Sequence, residues 1–213
     1  MLTTLWPLFG LTLRTARLEL RLPTEREIGE LARVAARGVH SPEERPFLFP
    51  WAEHGPEARA RSVLQSHWAE LGSWSAAAWR LGLGVFASGE PLGIVTLRAR
   101  DFPVVREVTT SSWLGLAHHR QGYGTEARTG ALSLAFEQLG AEAALTEVFQ
   151  DNAASQGVSS KLGYEPDGIS HDARDGEVVV SDRLRLTRER WSRLEHGGVT
   201  VDAYEACRSL FGL

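Results

Sequence analysis

The chain has 213 residues, 43% of them hydrophobic and 23% charged, a soluble globular balance that excludes an intrinsically disordered chain. That length fits a single domain spanning 1–213 with a substantial buried core. Acidic residues number 27 against 23 basic, a net charge of −4 that disfavours a nucleic-acid binder, and no apolar run approaches the ~20 residues of a membrane span.

A lone cysteine, Cys207, allows no internal disulfide and no cysteine-rich zinc motif, and reads as a buried, inert thiol. The apolar stretch from Met1 to Leu13 lacks a basic n-region and a small-residue cleavage site. The expected compartment is the cytoplasm, with no metal, membrane or nucleic acid as partner.

In chain order, Arg14 to Arg21 reads as a strand, with Leu18, Leu20 and Leu22 alternating against charged residues. Thr24 to Glu27 fits a capping box ahead of a helix carrying Ile28, Leu31, Ala32 and Ala35, with Gly38 as its stop. His40 to Trp51 is too proline-rich for regular structure, and a second helix runs from Pro56 to Gly72. Trp79–Ala87 and Leu92–Arg100 predict two strands joined by a hairpin turn, and Arg106–Leu116 a third. A glycine-rich turn follows. The chain then predicts a helix over Thr125–Leu139, a strand over Ala143–Phe149 and a short helix over Asn152–Leu162. Strands near Tyr164–Ile169 and Glu177–Leu186 precede a helical tail. This order predicts an α/β (α+β) fold, a mixed sheet flanked by helices.

The segment from Leu114 to Ala127 carries the chemistry. A strand enters a polar loop, and Gly122 and Gly124 then open a helix, whose unpaired N–H groups and positive dipole end suit a diphosphate. The glycines let phosphate oxygens reach the backbone. Gly122 to Ala127 also satisfies the G-x-G-x-x-G/A dinucleotide fingerprint, which leaves a nicotinamide-dependent oxidoreductase as one reading. Against it, Ala117 to Gln121 separate the strand from the first glycine, and a β-meander precedes the motif where a βαβ unit should open.

His119-Arg120-Gln121-Gly122-Tyr123-Gly124 resembles the acyl-CoA motif of the GNAT acyltransferase superfamily, and Gly122 to Ala127 is similar to its RimJ/RimL branch. Asp151 to Ser155 with Lys161-Leu162-Gly163-Tyr164 resembles the family's downstream block. Trp6 to Phe9, Pro46-Phe47, Pro50-Trp51, Ser112 to Gly115 and the tail Cys207 to Gly212 are similar to mycobacterial succinyl-CoA-binding acyltransferases, a likeness spanning nearly the whole chain. The resemblance implies a mostly antiparallel central sheet whose splayed strand pair forms a CoA cleft. It also implies direct transfer of an acetyl or succinyl group from CoA to a primary amine.

In that scheme the turn amides of Gln121 to Gly124 hold the pyrophosphate, with His119, Arg120, Tyr123 and Thr125 around them. Trp113, Leu114 and Leu116 offer backbone groups to pantetheine and polarise the thioester carbonyl. Asn152 and Ser155 are the catalytic candidates and also touch CoA. Asn152 reads equally as a helix N-cap, and Ser155 either protonates the leaving thiolate or is a solvated helix serine. His119 stands where the family carries Gln or Arg, and Thr109 where many relatives carry a glutamate, so Glu107 and His118 are base candidates by location only. Phe47, Phe49, Trp51 and His54 fall in the family's acceptor region. A succinyl carboxylate needs an arginine partner, with Arg98, Arg100 and Arg106 as candidates. A non-catalytic acyl-CoA-binding module is the further alternative. Trp6/Phe9 and Trp191/Phe211 exceed what the sheet is expected to cover, which predicts a homo-oligomer.

Overall fold

The computed structural model describes residues 2–213. Its helices are α1 (Leu2–Leu5), α2 (Glu25–Ala36), α3 (Pro56–Gly72), α4 (Phe102–Val105), α5 (Tyr123–Ser133), α6 (Ala153–Lys161), α7 (Arg188–Ser192) and α8 (Tyr204–Cys207). The strands are β1 (Thr12–Arg14), β2 (Glu19–Arg21), β3 (Ala78–Ala87), β4 (Glu90–Arg100), β5 (Glu107–Leu114), β6 (Ala143–Phe149), β7 (Glu165–Arg174), β8 (Glu177–Thr187) and β9 (Thr200–Asp202). They form one sheet in the order β7-β8-β6-β5-β4-β3-β2-β1-β9, antiparallel throughout except for the β5–β6 pair.

Period-2 alternation divides the sheet residues between two cores. Leu81, Leu83 and Val85 of β3, with Val95 and Leu97 of β4, face the larger core beneath α5 (Ala127, Ala131, Leu132). Phe86, next after Val85, joins Ile28 and Leu31 of α2 and Val63 of α3 on the opposite face, and the bulge beside it leaves Leu92 of β4 unpaired. Ser88 and Gly89, both left-handed, close the β3–β4 hairpin as an Asn-Gly-like turn would. The first strand read from the sequence is two. Thr15 and Leu18 bond to each other across a tight turn, because the Thr15 hydroxyl also accepts the Leu18 N–H (3.0 Å), and β1 and β2 pair antiparallel.

The capping box on α2 is complete: the Thr24 oxygen accepts from the Glu27 N–H (3.3 Å), and Glu27 accepts from the Thr24 N–H (2.9 Å). Arg21 of β2 grips the same carboxylate with two bonds of 2.7 and 2.8 Å, tying strand to helix. Those Arg21 bonds hold the Glu27 carboxyl at about 2, against the opposing pull of burial. The depressed value contributes stability above pH 4.5 that is lost as pH falls toward 2. Glu27→Ala is expected to lower unfolding free energy by about 2 kcal/mol at neutral pH. Urea titrations should show that difference from wild type shrinking below pH 4.5, as wild type loses the same interaction by protonation.

The aromatic ends are not a free surface. Trp191 and Phe211 are buried, and Trp6 and Phe9 pack against the larger core. The short strand β9 pairs with β1, and α8 with the turn after it then seats Phe211 beside Trp79 (ring centroids 5.0 Å) and Trp74 (5.5 Å). The premise that these rings exceed what the fold covers is corrected on that ground: Trp191 and Phe211 are buried within the chain, and Trp6 and Phe9 lean on the same core. Cys207 is buried, and burial pushes its thiol up to about 11, out of reach of thiolate chemistry at neutral pH.

Candidate acyl-CoA site

The parallel strands β5 and β6 pair only at Glu107↔Ala143, Val108↔Ala144 and Thr109↔Leu145, then diverge. Each limb is held straight by its other neighbour: β5 by β4 as far as Gly93↔Leu114, β6 by β8 as far as Phe149↔Ser181. At the vertex the Thr146 hydroxyl donates to the Thr110 carbonyl (3.2 Å). Beyond it the facing edges of both strands lack a ladder partner, a slot suited to an extended ligand with amide groups of its own.

After β5 the chain makes a 3-10 turn over Leu116–His118, passes through left-handed Arg120 and Gly122, and enters α5. No side chain caps α5. The first helical bond runs from the Glu126 N–H to the Gly122 carbonyl (3.1 Å), and among the described residues the N–H groups of Gln121 through Thr125 have no acceptor. This open, positively polarised helix end beside the mouth of the fork is an anion site by construction.

Around the turn the predicted residues divide. His119 does not face the open amides: its Nε2 lies 3.0 Å from the Leu114 carbonyl, fastening the loop to the end of β5. Gln121 folds back to donate to the Ala117 carbonyl (3.0 Å). Trp113 faces the α2 side, Leu114 is buried toward α5, and Leu116 is exposed. A Cβ on Gly124 would meet only Leu114, at 3.7 Å, so the fold itself does not demand glycine there.

Arg17, in the turn between β1 and β2, is part of the same assembly and went unnoticed in the sequence, lying more than a hundred residues from its partners. Its guanidinium donates to the Gln121 carbonyl (3.1 Å), stacks over Tyr123 (4.6 Å) and binds Glu126, the carboxylate in the first turn of α5, at 2.6 Å. The Thr15 hydroxyl and the Arg17 N–H also donate to Glu126, and these bonds hold its carboxyl below the usual range despite burial. The brace neutralises the one negative charge that would oppose an anion at this helix end.

On the other limb, Asn152 caps α6 by accepting the Ser155 N–H (3.0 Å). Ser155 is half-buried in the first turn of α6. Tyr164 is a core residue, its hydroxyl 3.1 Å from that of Thr110.

The opposite face of the fork holds a hollow of about 320 Å³ lined by Arg98, Thr109, Leu145, Thr146, Glu147 and Arg183. Arg98 sits across from Thr109, and nearby walls and Arg80 both disfavour its charge, with Glu147 opposing them. Arg98 has no ion-pair partner among the described residues. Arg100 pairs with Ala78 at the end of β4, outside the fork, and Arg106 is turned away to the Leu139 carbonyl (3.3 Å). Glu107 is held by Arg185 (2.6 Å), and His118 packs beneath Gly115. Two carboxylates missed in the sequence lie on this face: Glu147 in the hollow, and Glu70 of α3, seated on Gly82 where any Cβ would collide with it. Burial pushes the Glu70 carboxyl up to about 7. Phe47, Trp51 and Trp113 form a run of ring contacts of 5.2 and 5.6 Å leading to β5, whereas Phe49 and His54 point to solvent.

Residues 17–165 match the family model of the acetyltransferase (GNAT) domain. The chain belongs to the GNAT acetyltransferase family. Its fold is shared with Mycobacterium smegmatis RimJ, solved with CoA-disulfide, at 15% identity, 93% of this chain, 92% of that one and a TM-score of 0.65. RimL, a ribosomal L7/L12 alpha-N-protein acetyltransferase solved with coenzyme A, matches at 14% identity over 81% of this chain and 95% of its own, TM-score 0.63. A GCN5-related N-acetyltransferase from Brucella melitensis matches at 19% identity over 85% and 80%, TM-score 0.67. The fold is that of the RimJ/RimL-like GNAT proteins: an open, mostly antiparallel sheet with helices on both faces. The G-x-G-x-x-A match at Gly122 follows an antiparallel meander and joins β5 to α5, which leads into the parallel strand β6; that single βαβ unit stands inside a mostly antiparallel GNAT sheet and does not open a parallel one. No helix among the described residues is long and apolar enough to cross a membrane, and none of their His, Cys, Asp and Glu side chains group in threes that could hold a metal ion.

Proposed function

We propose that this GNAT protein is a cytoplasmic, single-domain N-acyltransferase that moves an acyl group directly from CoA to a primary amine. The observation that carries the reading is the uncapped end of α5, with free N–H groups from Gln121 to Thr125, opening beside the β5–β6 fork. The diphosphate takes those amides, Arg120 adds positive charge, and pantetheine passes Leu116 and Trp113 along the free edge of β5. The Gly115 and Leu116 N–H groups are taken by the Leu92 and Gly38 carbonyls, so the donor that polarises the thioester carbonyl is a backbone N–H of β5 itself. Attack by the amine gives a tetrahedral intermediate that collapses to amide and CoA thiolate. Ser155, in the first turn of the helix that Asn152 caps, delivers a proton to the sulfur directly or through water. The Phe47–Trp51–Trp113 wall desolvates the amine and favours its neutral form. The acceptor is a protein N-terminus or a small amine.

The donor we favour is succinyl-CoA over acetyl-CoA. Arg98 stands at the vertex of the fork without an ion-pair partner among the described residues, where a terminal carboxylate needs a cation and an acetyl methyl does not. With both donors at equal concentration, mass spectrometry of the retained ligand should show succinyl-CoA in excess. Arg98→Ala should reverse that preference by about tenfold or more. Retention of acetyl-CoA in excess by both proteins would remove the succinyl assignment and leave the acetyl one.

A further inference from the structure

Arg128, in the second turn of α5, is 3% exposed, yet no acidic side chain pairs with it among the described residues. Its Nη2 donates to the Thr110 hydroxyl (2.6 Å), its Nη1 lies 3.4 Å from the Ser159 hydroxyl, and its plane rests 5.3 Å from the Tyr164 ring. The Nε has no partner. The charge therefore meets only two hydroxyls, a ring face and the last turn of α6, all partial dipoles. A buried cation without a counter-ion is unfavourable for folding, and an apolar side chain of similar size ordinarily does better. Its location is equally specific: Thr110 is the first residue of β5 beyond the last β5–β6 pair, so the guanidinium lies under the vertex of the fork.

We infer that Arg128 is an electrostatic positioning residue for the acyl-transfer step, a cation whose counter-charge is the anion that forms in the fork. This rests on the fork being the thioester site. As the amine nitrogen bonds to the carbonyl carbon, the C=O π pair moves onto oxygen. Collapse re-forms C=O and breaks the C–S bond, and the electron pair of that bond leaves on sulfur. The proton shed by nitrogen ends on that sulfur. Negative charge thus builds first on oxygen and then on sulfur, and a fixed cation acting through Thr110 favours both over the neutral thioester. In a low-dielectric setting such a charge acts further than it does in water.

The thiol of bound CoA reports this without any acceptor, because its thiolate is the same leaving group. Ultraviolet absorbance of the thiolate, titrated with CoA bound, should show the wild-type thiol ionising below that of free CoA. In Arg128→Met the midpoint should rise by about one pH unit or more, and Arg128→Lys should keep most of the depression. Arg98, Arg183, Glu147, the Glu107–Arg185 pair and the end of α5 also face the fork, but they are common to all three proteins. Arg128→Met should unfold at the same temperature as wild type or higher, a sign that a purely structural arginine would not give. A bound thiol titrating alike in wild type and Arg128→Met overturns the inference alone. So does a wild-type thiol no more acidic than free CoA, should the methionine variant fail to fold. Absence of CoA binding to wild type in calorimetry overturns the fork reading, and this inference with it.

Discussion

Gly124→Val is expected to weaken CoA binding by about a hundredfold or more in calorimetry while leaving the fold intact. Gly124 lies inside α5 with ordinary helical geometry, and a Cβ there makes only a normal contact with Leu114 at 3.7 Å. Valine also suits a helix interior better than glycine does. The branched side chain stands over the open amides and keeps phosphate oxygens from them. Gly122 would be a poorer probe, because its backbone is left-handed (φ 83°) and any substitution strains the turn itself. A folded Gly124→Val protein that binds CoA as wild type does would defeat the diphosphate assignment. Preferential binding of NADH by wild type would restore the dinucleotide reading.

Phe211→Ala carries the largest expected cost in stability, about 4 kcal/mol in urea denaturation. The ring is fully buried against Trp74 and Trp79, and the neighbouring Leu210 carbonyl accepts the Trp74 indole N–H (2.9 Å), so the tail closes over the start of β3. Because all these contacts lie within one chain, light scattering should give the same mass for variant and wild type. A change of mass with little loss of stability would instead place Phe211 at an interface between copies.

What was legible in the sequence was local. The Thr24–Glu27 capping box, the Pro56–Gly72 helix limits and the hairpin between Ala87 and Leu92 each rest on residues within one turn, and each is found, the hairpin with Glu90 and Pro91 already paired in β4 and only Ser88-Gly89 as its turn. The glycine turn and the Asn152 cap were legible for the same reason. The three-residue strand β9 was not, since nothing in Thr200-Val201-Asp202 distinguishes a strand from a loop until β1 pairs with it. Alternation puts Arg98 and Arg100 on one face of β4, and only the register with β5 shows that Arg98 reaches the fork while Arg100 passes its end. The Arg17–Glu126 brace and the solitary charge of Arg128 are tertiary facts: their partners come from distant segments or are missing altogether. His119 kept its place in the motif but spends its ring on the strand backbone, a use the spacing alone does not reveal.

The position of bound CoA decides between these assignments. In a crystal structure of the CoA complex, diphosphate oxygens should fall within hydrogen-bond distance of the N–H groups between Gln121 and Thr125. Pantetheine should run along β5 from Leu116 toward Trp113, and the sulfur should sit in the fork near Thr110. A diphosphate bound elsewhere, or a CoA whose sulfur points away from the fork, would contradict it.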